Sequence, residues 1–320
     1  MTVESGIRLE FAQFGHFDSF DIIRSLTSMV GLVDNAHPTP IVTGLKTMYY
    51  VDQEVIEGTR YYYKVRVWRG STSFISNEVT IIADADNYWT NVSSLLHFDG
   101  ANNSTIFTDQ KGTVWNRSGN PVISTAQSKF GGSSGRFTDN NYIYTNNNAG
   151  FLFGVTEDFT IEAWLYVPTG ASIYENVLPI ICAGFQDLSS GGGGWNLAVV
   201  DKANATISLQ RCGTNLTIQT AEFTIGSALA RDVWHHIEFG RAAGTTYGFF
   251  NGNLKGTTTI QNNIPFNSPN TSNVSIGSGN GRVLPNNWHL DGYVDDLRVT
   301  KGVCRHTANF AVPTRPHPDA

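Results

Sequence analysis

The sequence predicts an all-β protein, a small sandwich followed by a larger antiparallel one. Three observations carry that expectation. The 320 residues include 32 Gly, 7 Trp, 12 Tyr and 19 Phe, a composition rich in strand and turn formers. Only 15% are charged, so the Glu and Lys that build exposed helix faces are scarce. Short runs of period two recur between turn signals, and no helical periodicity appears. The formal charge of −6, without a basic run, lacks the electrostatic footprint of a nucleic-acid binder. No stretch of about 18 apolar residues predicts a membrane span, and no signal peptide is read at the N-terminus. Cys182, Cys212 and Cys304 are odd in number and lack metal-ligand spacing, so reduced thiols are expected. The Asn-x-Ser/Thr sites at Asn91, Asn215 and Asn273 read as by-products of an Asn- and Thr-rich surface.

Residues 1–84 form the first expected domain. Strand-like runs stand at 7–11 (IRLEF), 20–23 (FDII), 61–68 (YYYKVRVW) and 78–82 (EVTII). In the third, Tyr61, Tyr63, Val65 and Val67 share one side and Tyr62, Lys64, Arg66 and Trp68 the other. The segment 57–61 (EGTRY), with the hairpin from Arg69 and Gly70 to Val79, resembles the second half of a fibronectin type III domain. That resemblance implies an Ig/fibronectin-like docking or spacer sandwich. It makes Tyr61 the structural corner tyrosine, its hydroxyl bonding back to the chain. Residues 85–87 are the expected linker, short and polar.

The second expected domain spans 88–316, with 317–320 as a tail. The run 94–100 (SLLHFDG) opens it. The cleanest strand is 158–167, where Phe159, Ile161, Ala163, Leu165 and Val167 form a core row. The opposite row holds Thr160, Glu162, Trp164 and Tyr166, a carboxylate between aromatics. That is the makeup of a carbohydrate-facing surface and of an ordinary sheet face alike. Residues 232–239 alternate again, and Asn251-Gly252 is a two-residue hairpin signal. Residues 273–277 make one more short strand. In 288–300, strict alternation puts Tyr293, Asp295, Leu297 and Val299 on one face and Val294, Asp296 and Arg298 on the other. Asp295 would then lie in an apolar row, costly for a carboxylate without partners or a metal.

Five segments in order resemble a laminin-G-like (concanavalin A-like) jelly roll: 96–100, 159–164, 234–237, 250–254 and 292–299. With the tail 300–318, the resemblance is to the version common in bacteriophage tail and virion proteins. It implies that the first and last strands lie side by side, bringing Asp99 near Asp295 and Asp296. Relatives often carry a structural calcium, so these three are the candidate Ca2+ ligands.

Catalytic patterns are missing. Glu162 and Glu238 are isolated on their strands, so no carboxylate pair for glycoside hydrolysis is legible. His235 and His236 point to opposite faces and read as sheet residues. The run Gly191 to Gly194 lacks the Lys and helix of a phosphate cradle. The expectation is therefore a non-enzymatic virion protein that needs no cofactor. The favoured role is a tail fibre or tail-associated adhesin binding host-surface glycan, with Glu162, Trp164 and Tyr166 as candidate contacts. The alternative is a head- or tail-decorating cement protein. Expected partners are other virion proteins, through the N-terminal domain, and further copies of the chain on the particle.

Overall fold

The structure, a computed structural model, describes residues 7–55, 59–83, 86, 88–138, 140–147, 149–154, 156–183, 194–212, 218–259, 273–279 and 288–319. The expected turn at Glu57 and Gly58, linker residues 85 and 87, Asn215 and the glycine run 191–193 lie outside these. The chain divides into two compact units, Met1–Trp89 with Pro318–Ala320, and Thr90–His317. Both are antiparallel β structures. Among the described residues, helix is limited to single 3-10 turns, and no helix is long and apolar enough to cross a membrane.

The first unit has seven strands: β1 (Ile7–Glu10), β2 (Ser19–Ser25), β3 (Val42–Leu45), β4 (Tyr49–Asp52), β5 (Arg60–Arg69), β6 (Thr72–Ile75) and β7 (Val79–Ile82). β1 pairs with β4, and the other sheet runs β3-β2-β5-β6 with β7 also on β5. The alternation of β5 sends Tyr61 and Tyr63 into a core with Ile7, Ile22 and Ala83, and Val65 packs against it. The Tyr63 hydroxyl ties β5 to the upstream chain by donating to Asp52 Oδ2 at 2.7 Å. Arg24 Nη1 bonds both oxygens of the same carboxylate. Burial, then the bond to Asp52, pushes the Tyr63 hydroxyl well up from its ordinary pKa. Tyr61, the expected corner residue, lies buried in the same cluster, with the Arg24 guanidinium 5.3 Å from its ring centre.

The second unit has fifteen strands. They are β8 (Val92–Leu96), β9 (Asn116–Ser118), β10 (Val122–Ser124), β11 (Ser134–Phe137), β12 (Tyr142–Thr145), β13 (Phe159–Tyr166), β14 (Val177–Ala183), β15 (Gly194–Val200), β16 (Thr206–Cys212), β17 (Ile218–Thr224), β18 (Trp234–Ala242), β19 (Thr245–Phe250), β20 (Asn253–Thr259), β21 (Val274–Ile276) and β22 (Gly292–Lys301). One sheet runs β10-β11-β22-β13-β18-β19-β20, with β8 also on β22; the other runs β17-β16-β15-β14-β21-β12-β9. The first strand of the unit therefore pairs with its last, as the resemblance implies.

One hydrophobic cluster fills the space between the sheets. It takes the core row of β13 (Phe159, Ile161, Ala163, Leu165), continued by Val167, and Leu178, Ile181, Leu197 and Val199 from the facing sheet. Every residue of β13 is buried, on both faces. A strand with a polar outer row can be buried that way only if another layer covers it.

β22 departs from strict alternation. Its register against β13 shifts between Glu162, opposite Arg298, and Trp164, opposite Asp295, so Asp296 and Leu297 together face Ala163. This is a β-bulge, and Asp296 in it takes left-handed backbone (φ 47°). The bulge re-aims the strand. Val294, Leu297 and Val299 enter the core, while Tyr293, Asp295 and Arg298 stand beside the outer row of β13. The expected apolar row with Asp295 in it does not form. The side chain that strict alternation put among Leu297 and Val299 lies on the other face.

Candidate functional site

The outer row of β13 organises the site, because register places partners beside each of its residues. Thr160 lies opposite Gly240 and Thr300, Glu162 opposite Glu238 and Arg298, Trp164 opposite His236 and Asp295, and Tyr166 opposite Trp234 and Tyr293. These make four tiers across β18, β13 and β22. The tail beyond β22 covers the lower ones. Thr160 Oγ1 donates to Val303 O (3.0 Å) and accepts from Arg305 N (2.8 Å). Phe310 N bonds Gly252 O, and the Phe310 ring stacks on His306 at 3.6 Å. His317 N donates to the Asp296 carboxylate.

The second tier is ionic and buried. Arg298 Nε and Nη2 donate to Glu162 Oε1 at 2.9 and 2.7 Å. Burial pushes the Glu162 carboxyl up. The Arg298 guanidinium, with His317 and His236, outweighs that and holds it well below its ordinary range. Glu238 faces His306 Nδ1 at 2.9 Å, and burial, with Glu162 alongside, leaves its carboxyl raised. Glu162 and Glu238 are thus neighbours across two strands, which their isolation along the sequence concealed. They cannot serve as an open acid pair, since both are buried and each is held by a cation or imidazole.

In the third tier Lys129 Nζ sits 3.9 Å from the centre of the Trp164 indole, and Phe130 meets the same ring edge-on. Asp295 Oδ2 accepts from the backbone amides of Lys129 (2.7 Å) and Phe130 (3.1 Å). Burial pushes the Asp295 carboxyl up to about 8 against those two bonds, with Asp296 and Asp99 adding to the rise. Its Oδ1 is buried without a hydrogen-bond partner. Asp296 accepts from His97 Nδ1 at 2.8 Å as well as from His317 N. Partial burial raises the exposed Asp99, with His97 lowering and Asp296 raising it. Of the expected calcium ligands, Asp99 and Asp295 Oδ1 fit a hard cation, whereas Asp296 is already committed to donors on both oxygens. A Ca2+ ion takes six to eight oxygens, so this cluster supplies a corner of such a site.

The fourth tier stands beyond the tail's contacts. Tyr293, Tyr166 and Trp234 form a row across three strands, with ring centres 5.6 and 5.5 Å apart. The Arg136 guanidinium, from the next strand, lies 4.9 Å from the Tyr293 ring centre and pairs with Asp291 at 2.7 Å. Asp232 closes the other end, accepting from Thr169 N and Oγ1 and, at 3.4 Å, from the Tyr166 hydroxyl. Trp234, Tyr293 and Arg136 keep part of their surface in solvent.

The three expected carbohydrate contacts are therefore separated. Glu162 lies in the buried ionic tier, Trp164 is covered by Lys129 and Phe130, and Tyr166 is the buried centre of the aromatic row, between the part-exposed Trp234 and Tyr293. The physical reason is the covering of the polar outer row by the tail and by the segment at Lys129 and Phe130, which turn half of it into an interior. Sequence reading missed Trp234, Tyr293 and Arg136. Their signal is pairing register, which alternation within single strands does not carry.

No curated protein matches the chain. Similar solved structures include the binding domain of Paraclostridial Mosquitocidal Protein 1 (14% identity, TM-score 0.49, 71% of this chain and 51% of that one). The botulinum neurotoxin serotype D binding domain follows (14%, 0.48, 70% and 49%). Domain 4 of AbnA, an extracellular arabinanase from Geobacillus stearothermophilus, solved with arabinotriose, is similar at 13% and 0.47, over 67% of this chain and 94% of that one. This chain spans about half the length of the first two. The family model described as the concanavalin A-like lectin/glucanases superfamily matches residues 137–306, more than half of the sequence and the strands from β12 to β22. With its two facing antiparallel sheets and their single core, the chain belongs to that superfamily.

Proposed function

We propose that the protein is a non-enzymatic component of a bacteriophage virion, a tail fibre or tail-associated adhesin made in the host cytoplasm. Its second unit binds host-surface carbohydrate at the Tyr166–Trp234–Tyr293 row. The observation that carries this reading is the row itself: three aromatic rings side by side, bounded by Arg136 and Asp232. Apolar ring faces flanked by a few fixed polar groups suit a ligand with both C–H faces and hydroxyls. The burial of Glu162 and Glu238, each beside a cation or imidazole, supports binding without hydrolysis. Trp234→Ala tests the site. A glycan-array signal of the full chain should fall at least about tenfold, as loss of an aromatic anchor can cause, with the circular dichroism spectrum unchanged. An unchanged signal removes the row from the site, and no signal for the parent protein removes the adhesin reading.

The first unit is proposed as a fibronectin type III-like module that docks on other virion proteins. The pairing of β5 with β2, β6 and β7, opposite the β1–β4 pair, supports the fold. The exposed Phe14, Leu26, Val30, Val33 and Phe74 support the docking role. They equally favour the second reading, a head- or tail-decorating cement protein. Imaging of particles separates the two: density at the tail tip supports the adhesin, and density repeated over the capsid or tail tube supports the coat. A structural Ca2+ at Asp99 and Asp295 completes the proposal, supported by the unpartnered Asp295 Oδ1. A melting temperature unmoved by the calcium-selective chelator EGTA would remove it.

A further inference from the structure

Beside the Glu162–Arg298 ion pair, three side chains from distant parts of the chain converge in the interior of the outer layer. Glu162 comes from β13, His236 from β18 and His317 from the tail; they are 1%, 0% and 5% exposed. Arg298 donates to Glu162 Oε1, and the other oxygen faces the imidazoles. His236 Nε2 lies 3.3 Å and His317 Nε2 3.4 Å from Glu162 Oε2. One ligand atom from each of the three residues lies within 4.8 Å of the others. Glu162 Oε2, His236 Nε2 and His317 Nε2 nevertheless all lack a hydrogen-bond partner of acceptable geometry. Asp296 Oδ2 is 3.6 Å from His317 Nε2 and already accepts from His317 N. Buried polar atoms that face one another without bonding are costly and call for an explanation.

We propose that Glu162, His236 and His317 bind a transition-series divalent cation, Zn2+ by their chemistry. Zinc–nitrogen and zinc–oxygen bonds of ~2.0–2.2 Å in a tetrahedron put neighbouring ligand atoms roughly 3.3–3.6 Å apart. The separations of 3.3 and 3.4 Å from Glu162 Oε2 to the two imidazoles match two of those edges. The donor set of two imidazoles and a carboxylate suits zinc better than calcium, which takes oxygens alone. The cation would also offset the carboxylates of Glu162, Glu238 and Asp296, which gather around Arg298 and the imidazoles. Burial makes this a closed, structural site. It pins the tail at residue 317 to the sheet 155 positions upstream, at Glu162.

The full-length protein, stripped with EDTA and dialysed into metal-free buffer, is titrated with Zn2+ by calorimetry and with Co2+ by visible absorption. The expected result is one equivalent bound, a tetrahedral Co2+ spectrum and a melting temperature raised by Zn2+ but not by Ca2+. His317→Gln, on the tail and outside the inter-sheet core, should weaken binding more than about 100-fold, the loss that even outer-shell partners can cause. His306→Gln, on the same tail but outside the cluster, should retain it. No binding by the parent protein overturns the proposal, as does equal binding by His317→Gln. Because its ligands are absent from the aromatic row, the outcome stands apart from any glycan result.

Discussion

Arg298 illustrates how one side chain fixes the character of its surroundings. Its buried guanidinium donates twice to one oxygen of Glu162, and it is the principal partner of that carboxylate. Replacing it with alanine leaves a buried charge uncompensated, and Arg298→Ala should cost about 3–5 kcal/mol in urea denaturation at pH 7. Asp295 behaves in the opposite sense. Its carboxyl is pushed up to about 8 in the fold, against an ordinary 3.8. Between those values the folded chain holds a proton that the unfolded chain has released, so stability falls as pH rises through the window. In chelated buffer, Asp295→Asn should lack that slope, which melting curves at pH 5 and pH 8 would reveal. A wild-type slope that survives the substitution would assign it to another group.

At the scale of elements, β13 was legible and β22 was not. β13 is regular, so apolar residues at every second position report its core row directly. β22 contains one extra residue, and beyond Asp296 each side chain exchanges faces. Nothing in a run such as Val-Asp-Asp-Leu marks where the pleat breaks. The same holds for the tail. Its polar, proline-bearing sequence gives no sign that it forms a third layer, although Thr160, Glu238 and Asp296 all find partners in it. Glycine makes a comparable adjustment elsewhere. Gly248 and Gly256 pair across β19 and β20, and a methyl group on either would overlap the ring of Phe223 from β17. Gly256→Ala should therefore destabilise the second unit by about 1–3 kcal/mol, measured by thermal melting.

For the whole molecule, composition and turn spacing were enough to read an all-β chain, because both report local preference summed over many residues. The outer layer was not readable in that way. Glu162 meets Arg298 and His317 across more than a hundred residues, and such encounters depend on topology rather than on any local pattern. The division into units has a direct test: residues 90–317 alone should melt cooperatively, at the temperature of one transition of the full chain. Pairing of the second unit's first strand with its last also sets a schedule for synthesis. β8 is complete at Leu96, but the residues it pairs with begin at Leu297. At ~5–20 residues per second, a ribosome needs about 10–40 s to make the chain between them. Throughout that interval Leu95 and Leu96 have no sheet to join, and the nascent chain is a candidate for holding by chaperones until β22 arrives.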